Sequence, residues 1–263
     1  MKRESRLGIE LTALVALLFV GVALAHGQTE VAIGSDTVEL LENDPLAKNL
    51  LIDLGVGYQT YFPSGIGPVA DFRYVGRQRF SLESEIYYLI PDEVRRLGNA
   101  MLELYGYFHL MDRVVIAPVE VRKTSFLWLF GTFLRFPAQV RACLSVKAGM
   151  MTDLRLQPIY AAGLAFSMQS NLKVFIPSVN EERAAFFFDH LYLQVLVDPA
   201  GHLVSALGIE PTSDLARTVG ACLGLNGTLR NVNIMRNGWV QLELGLIEKT
   251  LFARLNMGLG LVL

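Results

Sequence analysis

From Leu50 onward the chain alternates between apolar and polar positions. In LLIDLGVGYQTYF, Ile52, Leu54, Val56 and Tyr58 are apolar, whereas Asp53, Gly55, Gly57 and Gln59 are polar or small. Successive side chains of an extended strand point to opposite faces, so this stretch presents one oily face and one polar face. The period recurs in RFSLESEIYYLI, which sets Phe80, Leu82, Ile86, Tyr88 and Ile90 against Arg79, Ser81, Glu83, Glu85 and Tyr87. NAMLELYGYFHL opposes Leu102, Leu104, Phe108 and Leu110 to Glu103, Tyr105, Tyr107 and His109, and ACLSVKAGM opposes Leu144 and Val146 to Cys143, Ser145 and Lys147. YAAGLAFSMQ, HLYLQVLVD, TVGACLGLNG and WVQLELGLI repeat the theme. The last segment, LFARLNMGLGLVL, places Leu251, Ala253, Leu255, Met257, Leu259, Leu261 and Leu263 on one side, with Arg254 and Asn256 on the other. A helix would scatter those two polar residues around its girth, so the period selects a strand.

Pro, Gly, Asp and Asn clusters separate these runs: PSGIG at Pro63, GRQ at Gly76, PDEVRRLGN at Pro91, MDR at Met111, DPAGH at Asp198, EPTSD at Glu210 and IEK at Ile247. They read as hairpin turns. With no helix-length segment to serve as a crossover, the sheet is an antiparallel meander. The expectation is an all-β, closed, up-and-down barrel of about 8–12 strands over residues 50–263, with the pattern weakest at 113–136 and 171–183. Residues 26–49 form a polar lead-in, with a short helix expected around Thr37–Leu41.

Composition changes the picture in two ways. The chain is 52% hydrophobic but only 18% charged, with a formal net charge of -2, which gives no electrostatic case for nucleic acid. The front end, MKRESR followed by an apolar run from Leu11 to Leu24 and Ala-Leu-Ala at Ala23–Ala25, has the form of a secretory signal peptide over residues 1–25, cut before His26. Beyond it no run of 18 apolar residues appears; the nearest, Ser125–Phe136, is bounded by Arg122 and Lys123 and contains Arg135. A helical membrane protein is therefore not expected.

An amphipathic barrel can turn its oily face inward, as a lipocalin does, or outward to lipid. Glycines on the polar face (Gly55, Gly57, Gly149, Gly163, Gly220, Gly224, Gly258, Gly260) suit a cramped interior, and the apolar face lacks charge over about the ~9–11 residues a tilted strand needs to cross a bilayer. The signal peptide, the amphipathic hairpins and the closing ARLNMGLGLVL resemble small bacterial outer-membrane β-barrels of the OmpW or OmpA type, although that class ends on an aromatic residue and this chain ends on Leu263. The resemblance implies export to the outer membrane, lipid as the surrounding partner, the barrel assembly machinery as the insertion partner, and small solutes as cargo. It places Leu255, Met257, Leu259, Leu261 and Leu263 against lipid, and Asp53, Arg73, Arg79, Glu83, Glu85, Glu103, Lys147, Glu243 and Arg254 in the lumen. If those charges line water, the barrel is a porin-like channel; if they pair across the lumen, they plug it and the barrel is structural or surface-contacting. A soluble periplasmic carrier is the third reading. Tyr58, Tyr61, Phe62, Tyr87, Tyr88, Trp128, Trp239 and Phe252 fall near strand ends, where interfacial girdles sit.

Chemistry is sparse. His26, His109, His190 and His202 have no metal-type spacing, and no phosphate loop, dinucleotide fingerprint or nucleophile elbow occurs. No metal, cofactor or enzymatic activity is expected; Asp189, His190 and Ser167 are the only loose catalytic candidates. Cys143 and Cys222 share a face but belong to strands read as non-adjacent, so no disulfide is expected between them.

Overall fold

The computed structural model describes residues 31–32, 38–60, 65–76, 79–90, 99–126, 130–153, 158–201, 219–229, 238–247 and 250–263. The segment expected to be a signal peptide, Tyr61, Phe62 and Trp128 lie outside the described residues. Twelve strands follow in chain order: β1 (Val31–Ala32), β2 (Glu39–Asn43), β3 (Leu50–Gln59), β4 (Gly65–Val75), β5 (Phe80–Leu89), β6 (Asn99–Phe126), β7 (Phe130–Asp153), β8 (Pro158–Ile176), β9 (Glu181–Val197), β10 (Val219–Leu229), β11 (Gly238–Ile247) and β12 (Thr250–Val262). Strands β3 to β12 each pair antiparallel with their sequence neighbours, and β12 returns to β3 through Leu255↔Tyr58 and Leu259↔Leu54. The result is a closed, ten-strand, up-and-down barrel. Following the registers once around it gives a stagger of about 12 residues, hence a strand tilt of roughly 40° and an interior that side chains can fill.

Burial follows the sequence alternation. Along β5 the odd positions Ser81, Glu83, Glu85, Tyr87 and Leu89 are buried, whereas Phe80, Leu82, Ile86 and Tyr88 are exposed. On β12, Met257, Leu259, Leu261 and Leu263 are exposed and Leu255 is half-buried, all on the outer face, while Phe252, Arg254 and Asn256 are buried. The oily face thus points out and the polar face points in.

Two hairpins outgrow the barrel. β6 and β7 stay paired from Met101↔Asp153 to Phe126↔Phe130, and β8 and β9 up to Ile176↔Glu181, but β7 and β8 part company beyond Arg141↔Gln169. Past that point the hairpins pack face to face around Val119, Val121, Leu134, Ala138, Val140, Leu172, Val174, Ile176 and Phe187, forming a small sandwich on one end of the barrel. The face that is outward in the barrel is the one buried here: on β7 the even positions Leu134, Ala138 and Val140 are buried, below which the odd positions Arg141, Cys143, Ser145 and Lys147 take over.

Two expectations are corrected in this region. Met111 is no turn; it follows a bulge between His109 and Met111 within the continuous strand β6, which adds a residue without ending the ladder. Residues Glu39–Asn43 are strand β2 and not a helix, because β8 offers an open edge once β7 has left it: Leu40 pairs with Val174 and Asn43 with Leu172. β1 pairs in parallel with β7 at Phe133 and Leu134. The segment is pinned in the seam as Gln139 N donates to Asn43 Oδ1 (2.8 Å), Asn171 Nδ2 to Glu42 Oε1 (2.6 Å) and Gln169 Nε2 to the Lys48 carbonyl (2.9 Å).

Arg141 fastens barrel to sandwich. Its Nε and Nη2 donate to Asp112 Oδ1 and Oδ2 at 2.7 and 2.6 Å, and its Nη1 donates to the Gly76 carbonyl at 2.9 Å. The hydrogen bonds from Arg141 hold the Asp112 carboxyl below its ordinary range.

Inside the barrel, glycines make room for rings on the neighbouring strand. Gly224 faces Tyr192 and Gly245 faces Phe252 in direct cross-strand pairs, and a Cβ at either glycine would overlap the ring. Gly227 has only Asp189 Oδ1 at 3.5 Å from such a Cβ. Gly245→Ala is therefore expected to destabilise the folded barrel by about 1–3 kcal/mol, while Gly227→Ala stays within about 0.5 kcal/mol. Urea-unfolding midpoints of the two refolded variants check this, and equal midpoints contradict it.

Candidate functional site: the charged barrel interior

The registers place Asp53 opposite Asp71, Asp71 opposite Glu85 and Glu85 opposite Glu103, so four carboxylates form one row across four adjacent strands, β3 to β6. All four are buried, Asp71 and Glu103 completely. Like charges directly opposite repel, and a dry interior amplifies the repulsion. Two arginines answer it. Arg73, on β4, donates from Nε to Glu83 Oε1 at 2.8 Å, pairs with Asp71, and lies 3.7 Å from Asp53 Oδ2. Arg254, on β12, reaches Glu103 through both terminal nitrogens, Glu243 Oε2 at 3.2 Å and Glu85 Oε2 at 3.7 Å.

Neutral donors complete the network. Tyr87 donates to Glu85, Tyr107 to Glu83 and Tyr192 to Glu243, while the Tyr105 hydroxyl donates to Glu103 Oε2 at 2.9 Å. Gln241 Nε2 donates to Glu85 Oε1 at 3.0 Å, and Asn256 Nδ2 to both Tyr87 Oη (2.8 Å) and Gln241 Oε1 (2.7 Å). Lys147 stands between two rings, its Nζ 3.6 Å from the centroid of Tyr192 and 3.8 Å from that of Tyr105, an arrangement that stabilises a desolvated ammonium.

Apolar layers close this polar middle at both ends. Leu51, Val75 and Phe188 cluster at the sandwich end. At the opposite end the strand termini contribute Leu89, Met101, Met151, Ile159, Leu196 and Ile247, all at 2% exposure or less. Two cavities near the sandwich end hold about 10 and 20 Å³, room for a water molecule or so each.

The sequence-derived interior set is distributed as follows. Asp53, Arg73, Glu83, Glu85, Glu103, Lys147, Glu243 and Arg254 are buried and brought together inside the barrel. Arg79 is not with them: it lies in the bend before β5 and is exposed, since at the strand's mouth the polar face opens to solvent. Asp71 is a member that the pattern reading passed over, although it shares the parity of Arg73 in GIGPVADFRYV. Among the proposed girdle aromatics, Tyr87, Trp239 and Phe252 are corrected to interior positions, at 3% exposure or less, because their parity matches the polar face. Tyr88 is exposed and Tyr58 half-buried on the outer face.

Cys143 and Cys222 are free and buried on β7 and β10, with β8 and β9 between them. Ser167 and His190 are cross-strand partners, but Asp189 is adjacent to His190 in β9 and so projects to the other face, where its Oδ1 accepts from Thr228 N. His190 packs among Tyr107, Tyr192 and Phe188. His109 bridges Ser81 Oγ at 2.8 Å and Ser145 Oγ at 2.6 Å.

Comparison with known proteins adds no relative: no family model, no curated protein and no solved structure matches the chain.

Removing one partner of a buried ion network leaves the others uncompensated. Arg254→Leu strips Glu85, Glu103 and Glu243 of their shared cation and is expected to cost about 3–5 kcal/mol. The exposed pair Arg135–Glu120 is worth far less, and Arg135→Leu is expected to cost under about 1 kcal/mol. Chemical-denaturation midpoints decide; a smaller loss for Arg254→Leu than for Arg135→Leu contradicts the network.

Proposed function

We propose that this chain is an outer-membrane barrel whose interior does not conduct, and that it serves as a rigid membrane anchor for the two-hairpin sandwich at its end. The observation that carries the reading is the inversion of the faces. Among the described residues, the outward positions of the ten barrel strands hold no Asp, Glu, Lys or Arg between two aromatic levels, one at Tyr58, Tyr88 and Tyr160, the other at Tyr74, Phe80, Phe108 and Phe166. Along β5 that interval, Phe80 to Tyr88, runs roughly 26 Å along the strand, or roughly 20 Å of height at this tilt, close to the apolar band of roughly 25 Å expected of a membrane barrel. Soluble monomers rarely expose a contiguous apolar surface of this extent.

The sandwich carries a different surface. Glu120 pairs with Arg135, Lys173 with Glu182 and Arg183 with Glu181 on its exposed faces, as suits water. A soluble carrier would need the opposite arrangement in the barrel, with an apolar cavity inside. A porin-like channel for small solutes would need a wet lumen, and the paired charges with apolar layers at both ends favour a plugged one. The N-terminal pattern expected of a signal peptide and the resemblance to outer-membrane barrels support the location.

The test is twofold. The protein expressed in a double-membraned bacterium is expected in the outer-membrane fraction, extractable only with detergent and shifting on a gel when boiled. Refolded into planar bilayers, it is expected to give no discrete conductance steps. Recovery in the aqueous periplasmic extract overturns the location, and regular single-channel steps overturn the plug.

A further inference from the structure

The charged interior is not balanced. Among the described residues, Asp53, Asp71, Glu83, Glu85, Glu103 and Glu243 are the buried acidic residues of the polar middle and Arg73, Lys147 and Arg254 its buried basic ones; Arg141 at the sandwich junction and Asp198 just past β9 are buried as well. Acidic groups outnumber basic ones there by three, in a space with little room for water. Three of the carboxylates, Asp71, Glu83 and Glu85, each place an oxygen within 4.8 Å of the others, and all three are buried. One oxygen is left over: Asp71 Oδ1 accepts no hydrogen bond, in a residue with 0% exposure. A bare carboxylate oxygen away from water costs more than a hydrogen bond returns, so Oδ1 calls for a further partner beside the Arg73 that holds Oδ2.

We propose that Asp71, Glu83 and Glu85 bind a calcium ion. Oxygens within 4.8 Å of one another can all touch one ion at the ~2.3–2.6 Å that Ca²⁺ prefers. Arg73 occupies Asp71 Oδ2 and Glu83 Oε1, which leaves Asp71 Oδ1 without a partner, while Glu83 Oε2 accepts only from the Tyr107 hydroxyl. The oxygens that accept from Tyr107, Tyr87 and Gln241 keep a second lone pair for coordination. Asp53, directly opposite Asp71, is a further carboxylate beside the three. The surroundings select the cation. Mg²⁺ usually keeps several waters, whereas Ca²⁺ accepts an irregular shell of protein oxygens, and the carboxylate and tyrosine oxygens packed around this cluster supply such a shell. The ion's two positive charges offset two of the three surplus acidic groups. Because apolar layers seal both ends, the ion enters while the barrel folds and is then trapped. This inference rests on the interior alone and is independent of what the outer face touches.

The experiment refolds the chain from urea into detergent with CaCl₂, with MgCl₂ or with EDTA, then desalts each sample in EDTA. Metal content and the temperature at which the gel shift occurs are measured. About one calcium per chain is expected to survive the EDTA wash, with the gel-shift temperature raised by several degrees over the EDTA-refolded protein and no such gain from magnesium. Asp71→Asn, nearly isosteric, is expected to lose both the retained calcium and the shift. No retained calcium in the wild-type protein, with equal gel-shift temperatures in all three refolding conditions, overturns the proposal. So does stabilisation by mild acid alone without any calcium effect, since protons then neutralise the row. If Asp71→Asn fails to fold, the wild-type metal content and temperatures decide without it.

Discussion

The structure depends on neutralising acidic side chains inside a narrow barrel. Ten strands at a tilt of roughly 40° enclose a space that side chains fill, and this sequence fills it with carboxylates arranged in a row. Each would be costly alone, and Arg73 and Arg254 make them tolerable by each contacting two of the row and one carboxylate beside it, Glu83 or Glu243. The tyrosines add donors at no charge, and Gly224 leaves room for the Tyr192 ring whose hydroxyl reaches Glu243, as Gly245 does for the ring of Phe252. Removing the water and pairing the charges are therefore one event. The cross-barrel pairs, such as Arg254 on β12 with Glu103 on β6, tie together strands that share no ladder.

The same chain changes its rule where the barrel ends. Within the barrel, odd positions of β7 point into the polar middle; above Arg141, even positions turn into an apolar sandwich core with β8 and β9. The divergence of β7 from β8 opens a seam with free edges, and the N-terminal strands β1 and β2 fill it. An exposed edge is a hazard to a sheet, and covering it from within the chain removes that hazard. Asp112 and Arg141 mark the junction between the two regimes.

This change of rule explains what was legible in the sequence. The barrel strands, where one face is wholly apolar, were readable from period alone, and so were the interior identities of Glu83, Glu85, Glu103 and Arg254. The segments 113–136 and 171–183 were obscure because both faces of those strands are used: Gln169, Ser170, Asn171 and Leu172 are buried in succession, so no alternation survives. β2 was unreadable because its partner edge exists only in three dimensions; ELLEN has a helix-like composition and pairs because β8 is free there. Parity already placed Phe252 and Trp239 on the polar face, but nearness to strand ends suggested a girdle. The acidic row itself depends on register between strands, which a single strand's pattern does not encode.

The central claim is that the outer face of the ten strands meets acyl chains. Single cysteines at Leu223 and Leu259, in a background with Cys143 and Cys222 replaced by serine, would carry a fluorophore in protein reconstituted into vesicles. The account predicts strong quenching by lipids brominated along the acyl chain and little by aqueous iodide, with the opposite result for a label at Glu120 on the sandwich. Quenching of the Leu223 and Leu259 labels by iodide, with none from brominated lipid, would contradict it.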